Sequence, residues 1–240
     1  MSKKPFVFKQ FSVNQDRCAM KIGTDGVLLG AWASIENNPF AILDIGAGTG
    51  IIGLMLAQRS NAEVIDAIEI DDEAYEQCVD NFELSSWGDR LFCYHASLDE
   101  FVNEIEDKYE LIISNPPFYS ETYKTDNKQR DIARFQDALP FNHLIESAAK
   151  LLTEDGKFAV IIPFKEETYF IELASKLKLY PNRILHVKGN PNSEIKRSLL
   201  EFSFRESEKE IIKNILIIET IRHQYTDDYI NLTKDFYLKM

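Results

Sequence analysis

Short apolar runs alternate with stretches of helical period along this chain. The runs at 41–45, 64–70, 91–95, 111–114 and 157–163 read as strands, and the spacing between them predicts helices over 51–58, 73–84, 98–105 and 141–152. One more helix is expected over 166–177, followed by strands at 183–187 and 198–204. This alternation indicates an α/β protein with a doubly wound sheet of about seven strands, mostly parallel. The last two runs are joined too closely for a parallel crossover, which needs a dozen or more residues, so an antiparallel strand is expected near the C-terminal edge. Segment 211–221 offers one further strand, and 225–238 has the apolar and aromatic spacing of a C-terminal helix docked on the sheet.

With 240 residues, 45% of them hydrophobic, the chain can bury one substantial core, and no Pro/Gly/Ser-rich linker divides it. A single domain over 1–240 is expected. The N-terminus carries charge but no apolar signal core, and no apolar run approaches the ~18 residues of a membrane span, so a soluble, cytoplasmic protein is expected. Cys18, Cys78 and Cys93 are scattered without a paired-cysteine motif or a nearby histidine cluster, and His143, His186 and His223 have no ligand-spaced partners. Neither a metal site nor a disulfide framework is suggested.

The formal net charge of −12 argues against broad, nonspecific nucleic-acid binding. Distribution changes that picture. From 61 to 110 the charges are almost all acidic, relieved by Arg90 and Lys108, whereas Lys124, Lys128, Arg130 and Arg134 make a local basic stretch. Taken alone, that stretch fits a solvated loop as well as an anion contact.

The segment Leu43-Asp44-Ile45-Gly46-Ala47-Gly48-Thr49-Gly50 stands where the first central strand gives way to a helix. Glycines there let the backbone turn tightly and approach a ligand where a Cβ would collide. Because Gly48, Gly50 and Gly53 also satisfy G-x-G-x-x-G, the glycines do not separate a nicotinamide enzyme from an S-adenosylmethionine (SAM) enzyme. Glu69, ending the second strand, can accept the hydroxyls of an adenosyl ribose in either case. Asp44 tilts the choice, since a carboxylate at the mouth of the loop is awkward beside a pyrophosphate but suited to a cationic amino-acid tail.

At the end of the fourth strand stands Leu111-Ile112-Ile113-Ser114-Asn115-Pro116-Pro117-Phe118. The carboxyl ends of central strands border the ligand crevice of an open α/β sheet, so this segment should face the glycine loop. Two prolines remove two amide donors and leave carbonyl acceptors. The Asn115 amide oxygen and the Pro116 carbonyl can each accept a hydrogen bond from one NH2 group, drawing a planar amino nitrogen toward pyramidal geometry with its lone pair exposed. Phe118 can stack on the flat group bearing that nitrogen. No metal or general base is required by this scheme.

The two motifs together resemble the class I SAM-dependent methyltransferases, whose Rossmann-like fold covers most of this chain. Phe8-Lys9-Gln10-Phe11, the run Met20-Lys21-Ile22-Gly23-Thr24-Asp25-Gly26-Val27-Leu28-Leu29-Gly30-Ala31-Trp32, and the ending Tyr225 to Leu238 are similar to one family, the bacterial tRNA1(Val) (adenine-37-N6)-methyltransferases. The resemblance implies that residues 1–38 form an extension lining the cofactor site and 222–240 a C-terminal helix. It implies that Lys21, Gly23, Thr24 and Asp25 border SAM together with Asp44, Gly46, Gly48 and Glu69. Thr24 and Asp25 have a second reading as caps of a helix over 27–33, and Lys21 as a surface lysine.

Two positions depart from the family pattern. Ser97 stands where relatives carry an aspartate toward the cofactor adenine, and Ala133-Arg134-Phe135 replaces Ala-Arg-His. Tyr119, Lys124, Lys128, Arg130 and Arg134 combine rings and cations suited to a single-stranded RNA, with the tRNA anticodon loop as the expected partner of a monomeric enzyme. Lys188, Lys196 and Arg197, flanking Gly189-Asn190-Pro191-Asn192, read either as a second phosphate contact or as a charged hairpin without a partner. Two other activities stay open: methylation of a protein glutamine amide, and a nicotinamide-dependent oxidation supported by the glycine loop alone.

Overall fold

The computed structural model describes residues 4–117, 139–207, 211 and 213–240. In chain order these form a short hairpin, β1 (Phe6–Val7) and β2 (Ser12–Val13), then α1 (Thr24–Trp32), β3 (Ala41–Ile45), α2 (Ile51–Arg59), β4 (Val64–Glu69), α3 (Asp72–Glu83), β5 (Leu91–His95), α4 (Leu98–Glu104) and β6 (Tyr109–Ser114). After the segment outside the described residues come α5 (Phe141–Leu151), β7 (Leu152–Pro163), a 3-10 turn (Phe164–Glu166), α6 (Glu167–Lys176), β8 (Tyr180–Lys188), β9 (Ile195–Ser203), β10 (Lys213–Ile217), a small β11 (Glu219–Ile221) and β12 (Gln224–Tyr225) hairpin, and α7 (Asp227–Thr233).

The main sheet has the order β10-β8-β9-β7-β6-β3-β4-β5. β9 runs antiparallel to both neighbours, and every other pairing in the sheet is parallel. The expected α/β class and mixed sheet are thus present. The eighth strand arises because 213–217 pairs with β8, burying Leu216 and leaving Ile215 outward.

Apolar runs that looked continuous in the sequence divide between two cores by strand alternation. Ile42, Leu111, Ile113, Ala159 and Ile161 pack with α1, α2, α3 and the two chain termini on one face. Leu43, Ile112, Phe158, Val160 and Ile162 pack with α4, α5 and α6 on the other. α1 is apolar nearly all round and is buried from Gly26 to Trp32. Its Gly26 and Gly30 form a shallow groove for α2, since an added Cβ at Gly30 would stand 2.9 Å from the Met55 sulfur.

Two expected boundaries differ. The C-terminal helix stops at Thr233, not near 238, because the chain then turns so that Phe236 is buried and Tyr237 bridges to Phe8. The first helix begins at Thr24, three residues before the expected start, with Gly23 as its N-cap and no side-chain cap. Thr24 and Asp25 therefore lie inside the first turn and do not cap it. No helix among the described residues is long and apolar enough to cross a membrane.

Candidate active site

Chain order reverses between β3 and β6, which are neighbours in the sheet, and this opens a crevice at their carboxyl ends. The glycine loop and the Asn-Pro-Pro segment leave from these two strands, side by side. Register places Asp44 opposite Ile113 and Ile45 opposite Ser114, and the Ser114 hydroxyl donates to the Ile45 carbonyl at 2.8 Å. That buried bond fixes where Asn115 starts.

The loop is tied back to β4 by the amides of Gly46 and Ala47, both donating to the Ile68 carbonyl at 3.0 Å. Gly46, Gly48 and Gly50 have φ values of +75°, +56° and +75°, a region costly for residues with a Cβ. Their surroundings differ. A Cβ on Gly46 or Gly48 would meet nothing within 4 Å, so these two line open space, whereas one on Gly50 would stand 2.6 Å from the Phe82 ring. The first two glycines leave room for a ligand at the loop; the third lets α3 close on it.

Asp44 is fully buried, and neither carboxylate oxygen has a hydrogen-bond partner. Burial pushes its carboxyl up to about 7; the nearby Gly53 amide offsets part of that, although it does not reach hydrogen-bond geometry, and the Glu69 charge adds to it. A buried acid with two orphaned oxygens beside an open glycine cradle is a receptor for a cation with N–H donors. The residues present thus fit the methionyl end of SAM.

Glu69, half-buried at the end of β4, accepts the Gly48 amide at 2.8 Å on one oxygen and the amides of Ile70 and Asp71 at 2.8 and 3.0 Å on the other. Three of a carboxylate's four or so acceptor directions are thereby taken. In this arrangement one further hydroxyl can be accepted, fewer than the two expected from the sequence.

Asn115 is half-buried, Pro116 buried and Pro117 half-buried. The Asn115 amide nitrogen lies 4.0 Å from the position of a Cβ on Gly26, so the first turn of α1 backs the amide and a glycine leaves room for it. Asp25 in that turn accepts from the Arg197 Nε at 2.7 Å, an ion pair from near the start of β9. Gly23 and Thr24 are exposed at this turn, and Lys21 is exposed and held by the Gln15 carbonyl.

Sequence reasoning missed what holds the 14–23 segment in place. Asn81 on α3, almost wholly buried, accepts the Asn14 amide at 2.8 Å and donates to the carbonyls of Asn14 at 2.9 Å and Thr49 at 2.8 Å, joining the N-terminal segment to the glycine loop. Gln77 accepts the Arg17 amide one turn earlier. The only available signal was two amides, four residues apart, on the apolar face of a helix.

Ser97 is the N-cap of α4. Its hydroxyl accepts from the Glu100 amide and donates to the Glu100 carboxylate at 2.7 Å, a complete capping box that engages the group expected to face an adenine. Phe118, Tyr119, Lys124, Lys128, Arg130 and Arg134 lie outside the described residues.

The chain is similar to known methyltransferases over most of its length. The Methyltransferase small domain family matches residues 28–178. A Flavobacterium johnsoniae protein named tRNA1(Val) (adenine(37)-N6)-methyltransferase is 66% identical over 98% of this chain and 100% of its own length. A protein of the same name from Bacteroides fragilis is 44% identical over the whole of both chains. Among solved structures, an Agrobacterium tumefaciens protein described as a predicted O-methyltransferase superposes with a TM-score of 0.68 at 20% identity, covering 88% of this chain and 96% of that one. A ribosomal protein L11 methylase from Lactobacillus delbrueckii subsp. bulgaricus gives 0.54 at 16% identity over 75% and 77%. At such identities the two structures speak for the fold alone.

Proposed function

The chain belongs to the bacterial tRNA1(Val) (adenine-37-N6)-methyltransferase family within the Methyltransferase small domain proteins, and on that premise we propose that it methylates the exocyclic N6 of adenine 37 in tRNA1(Val). The single observation that carries the chemistry is the pairing of an open glycine cradle and orphaned Asp44 on β3 with Asn115 on the adjoining β6. Identity of 66% over essentially the full length to a tRNA adenine methyltransferase favours adenine over a glutamine amide. Asp44 argues against a pyrophosphate in the same loop, and so against a nicotinamide cofactor.

When bound, SAM supplies an electrophilic methyl group on a sulfonium centre. Asp44 is the counter-charge for its methionyl end, Gly46 and Gly48 let the backbone approach, and Glu69 orients a ribose hydroxyl. Lys21, Gly23, Thr24 and Asp25 border the opposite side, with Ser97 beyond the end of β5. The Asn115 amide oxygen and the Pro116 carbonyl accept the two N–H groups of the substrate, raising electron density on the nitrogen as its lone pair turns out of the ring plane. Pro117 stiffens the turn, and Phe118 is assigned the face of the adenine. The proton released after transfer leaves by Asn115, the Pro116 carbonyl or water, so no metal has a role.

The anticodon loop is the expected RNA element, because an unpaired purine is extruded more easily than one in a duplex. Tyr119, Lys124, Lys128, Arg130 and Arg134 are assigned to it, the protein acting as a monomer in the cytoplasm over one domain, 1–240.

Asn115→Ala tests the assignment. Methyl transfer to tRNA should fall by 10²-fold or more while calorimetric SAM affinity stays within a factor of about two. Transfer at the wild-type rate in that variant would overturn the mechanism.

A further inference from the structure

The crevice rim is electrically two-sided. Beyond the ends of β4 and β5 it carries Glu69, Asp71, Asp72, Asp99 and Glu100, with no lysine or arginine from 61 to 110 apart from Arg90 and Lys108. A polyanion is repelled from that half. Beyond the ends of β7 and β8 cations outnumber acids, with Lys165, Lys188, Lys196 and Arg197 against Glu166 and Glu194.

β7 ends at Pro163, which pairs with Arg197, and β8 ends at Lys188, which pairs with Ile195. Since β7 lies beside β6, with Val160 opposite Ser114, the β8–β9 hairpin rises from the same edge of the sheet as Asn115. Its base is joined to the site by the ion pair of Arg197 with Asp25, next to the Gly26 that backs Asn115. Its tip is ordered by its own polar groups: the Asn190 carboxamide oxygen accepts the Asn192 amide at 3.0 Å, and the Ser193 hydroxyl donates to the Asn190 carbonyl at 2.9 Å. Lys188 donates to the Pro191 carbonyl at 2.9 Å, a bond that leaves its charge uncompensated, and Lys196 is 65% exposed with only a loose 3.9 Å pair to Glu194.

We propose that the β8–β9 hairpin is the part of the rim that grips the phosphate backbone of the substrate RNA, through Lys188 and Lys196, on the side of the crevice away from the SAM half. A preordered hairpin presents these cations with little ordering cost. Phe164, exposed at the end of β7 with its edge against the His186 ring at 5.0 Å, adds a stacking surface for an unpaired base beside them. This inference rests on the RNA methyltransferase reading and adds to it the surface by which an acidic protein holds RNA.

The test measures the dissociation constant of wild-type protein for tRNA1(Val) against salt, alongside Lys188→Gln/Lys196→Gln and, as a control with the same charge change, Lys176→Gln/Lys178→Gln at the C-terminal end of α6 and in the turn after it. The hairpin variant should bind about tenfold or more weakly near 0.1 M salt, converging on wild type near 1 M, with the slope of log K on log salt reduced by roughly 1.4 to 1.8. Its KM for tRNA should rise while kcat and SAM affinity stay put. Phe164→Leu should weaken binding with an unchanged slope. Equal effects in hairpin and control variants, or no effect in either, would overturn the proposal while leaving the methyltransferase reading intact. Absence of tRNA binding by the wild type would overturn both.

Discussion

Asp44 makes opposite demands on the empty and the ligand-bound protein, and Asp44→Asn should separate them. Its carboxyl is raised to about 7 from an ordinary 3.8, chiefly by burial. The folded state therefore holds its proton between pH 4 and 7 where the unfolded chain has lost it, so stability without ligand falls as pH rises through that window and levels off above 7. At about 1.4 kcal/mol per unit, the full effect is on the order of 4 kcal/mol. An amide at this position carries no charge but leaves its own polar atoms unpaired, at about 1–3 kcal/mol. Net, the ligand-free variant should be more stable than wild type at pH 8 by roughly 1–3 kcal/mol, and less pH-dependent between 4 and 7. Affinity for SAM should move the other way, weaker by about 10- to 100-fold for loss of a charged hydrogen bond. Denaturant melts without ligand across pH 5 to 8 read the first effect. Calorimetry between pH 5.5 and 7, below the range where the α-amino group of SAM itself titrates, reads the second. Wild-type affinity should rise with pH in that interval, by up to tenfold per unit, and the variant's should not. A variant less stable than wild type at pH 8, or binding SAM equally well, would refute the role given to Asp44.

Three further substitutions distinguish packing from binding. Gly48→Ala should cost about 1–2 kcal/mol of stability for its positive φ, with nothing for the new methyl to strike, yet abolish measurable SAM binding by calorimetry because the methyl occupies the cradle. Ser97→Ala should lower stability by about 1 kcal/mol through loss of the capping box, with SAM affinity within a factor of about three; a larger loss of affinity would mean that the hydroxyl leaves its cap for the cofactor. Tyr109→Phe removes the 2.7 Å bond to buried Asp66 at the opposite end of the sheet, and should destabilise by about 1–3 kcal/mol without changing kcat.

The sequence made the central strands and the two site motifs legible for local reasons. Glycines free the backbone for a tight turn and a double proline fixes it wherever they occur, so the turns at 46–50 and 115–117 were legible. The central strands are buried on both faces, and their alternation became visible only when Ile42 and Leu43, or Ile112 and Ile113, fell into different cores. The remainder depends on contacts distant in sequence. Asp25 was expected at the cofactor from the family resemblance, while its ion pair with Arg197, 172 residues away, left no local signal. The helix over 225–238 was overextended because Phe236 and Tyr237 keep an apolar spacing while packing on the N-terminal Phe8. Glu69 and Ser97 carry ligand-type chemistry in the sequence, which does not show that backbone amides occupy part of Glu69 and that Glu100 caps with Ser97.

The most direct measurement is incubation of the wild-type protein with labelled SAM and total tRNA from its host, followed by nucleoside mass spectrometry and mapping of the modified position. N6-methyladenosine at position 37 of tRNA1(Val), absent when Asn115→Ala replaces the wild type, is the predicted result. Label confined to protein, or a methylated nucleoside other than N6-methyladenosine, would contradict the account.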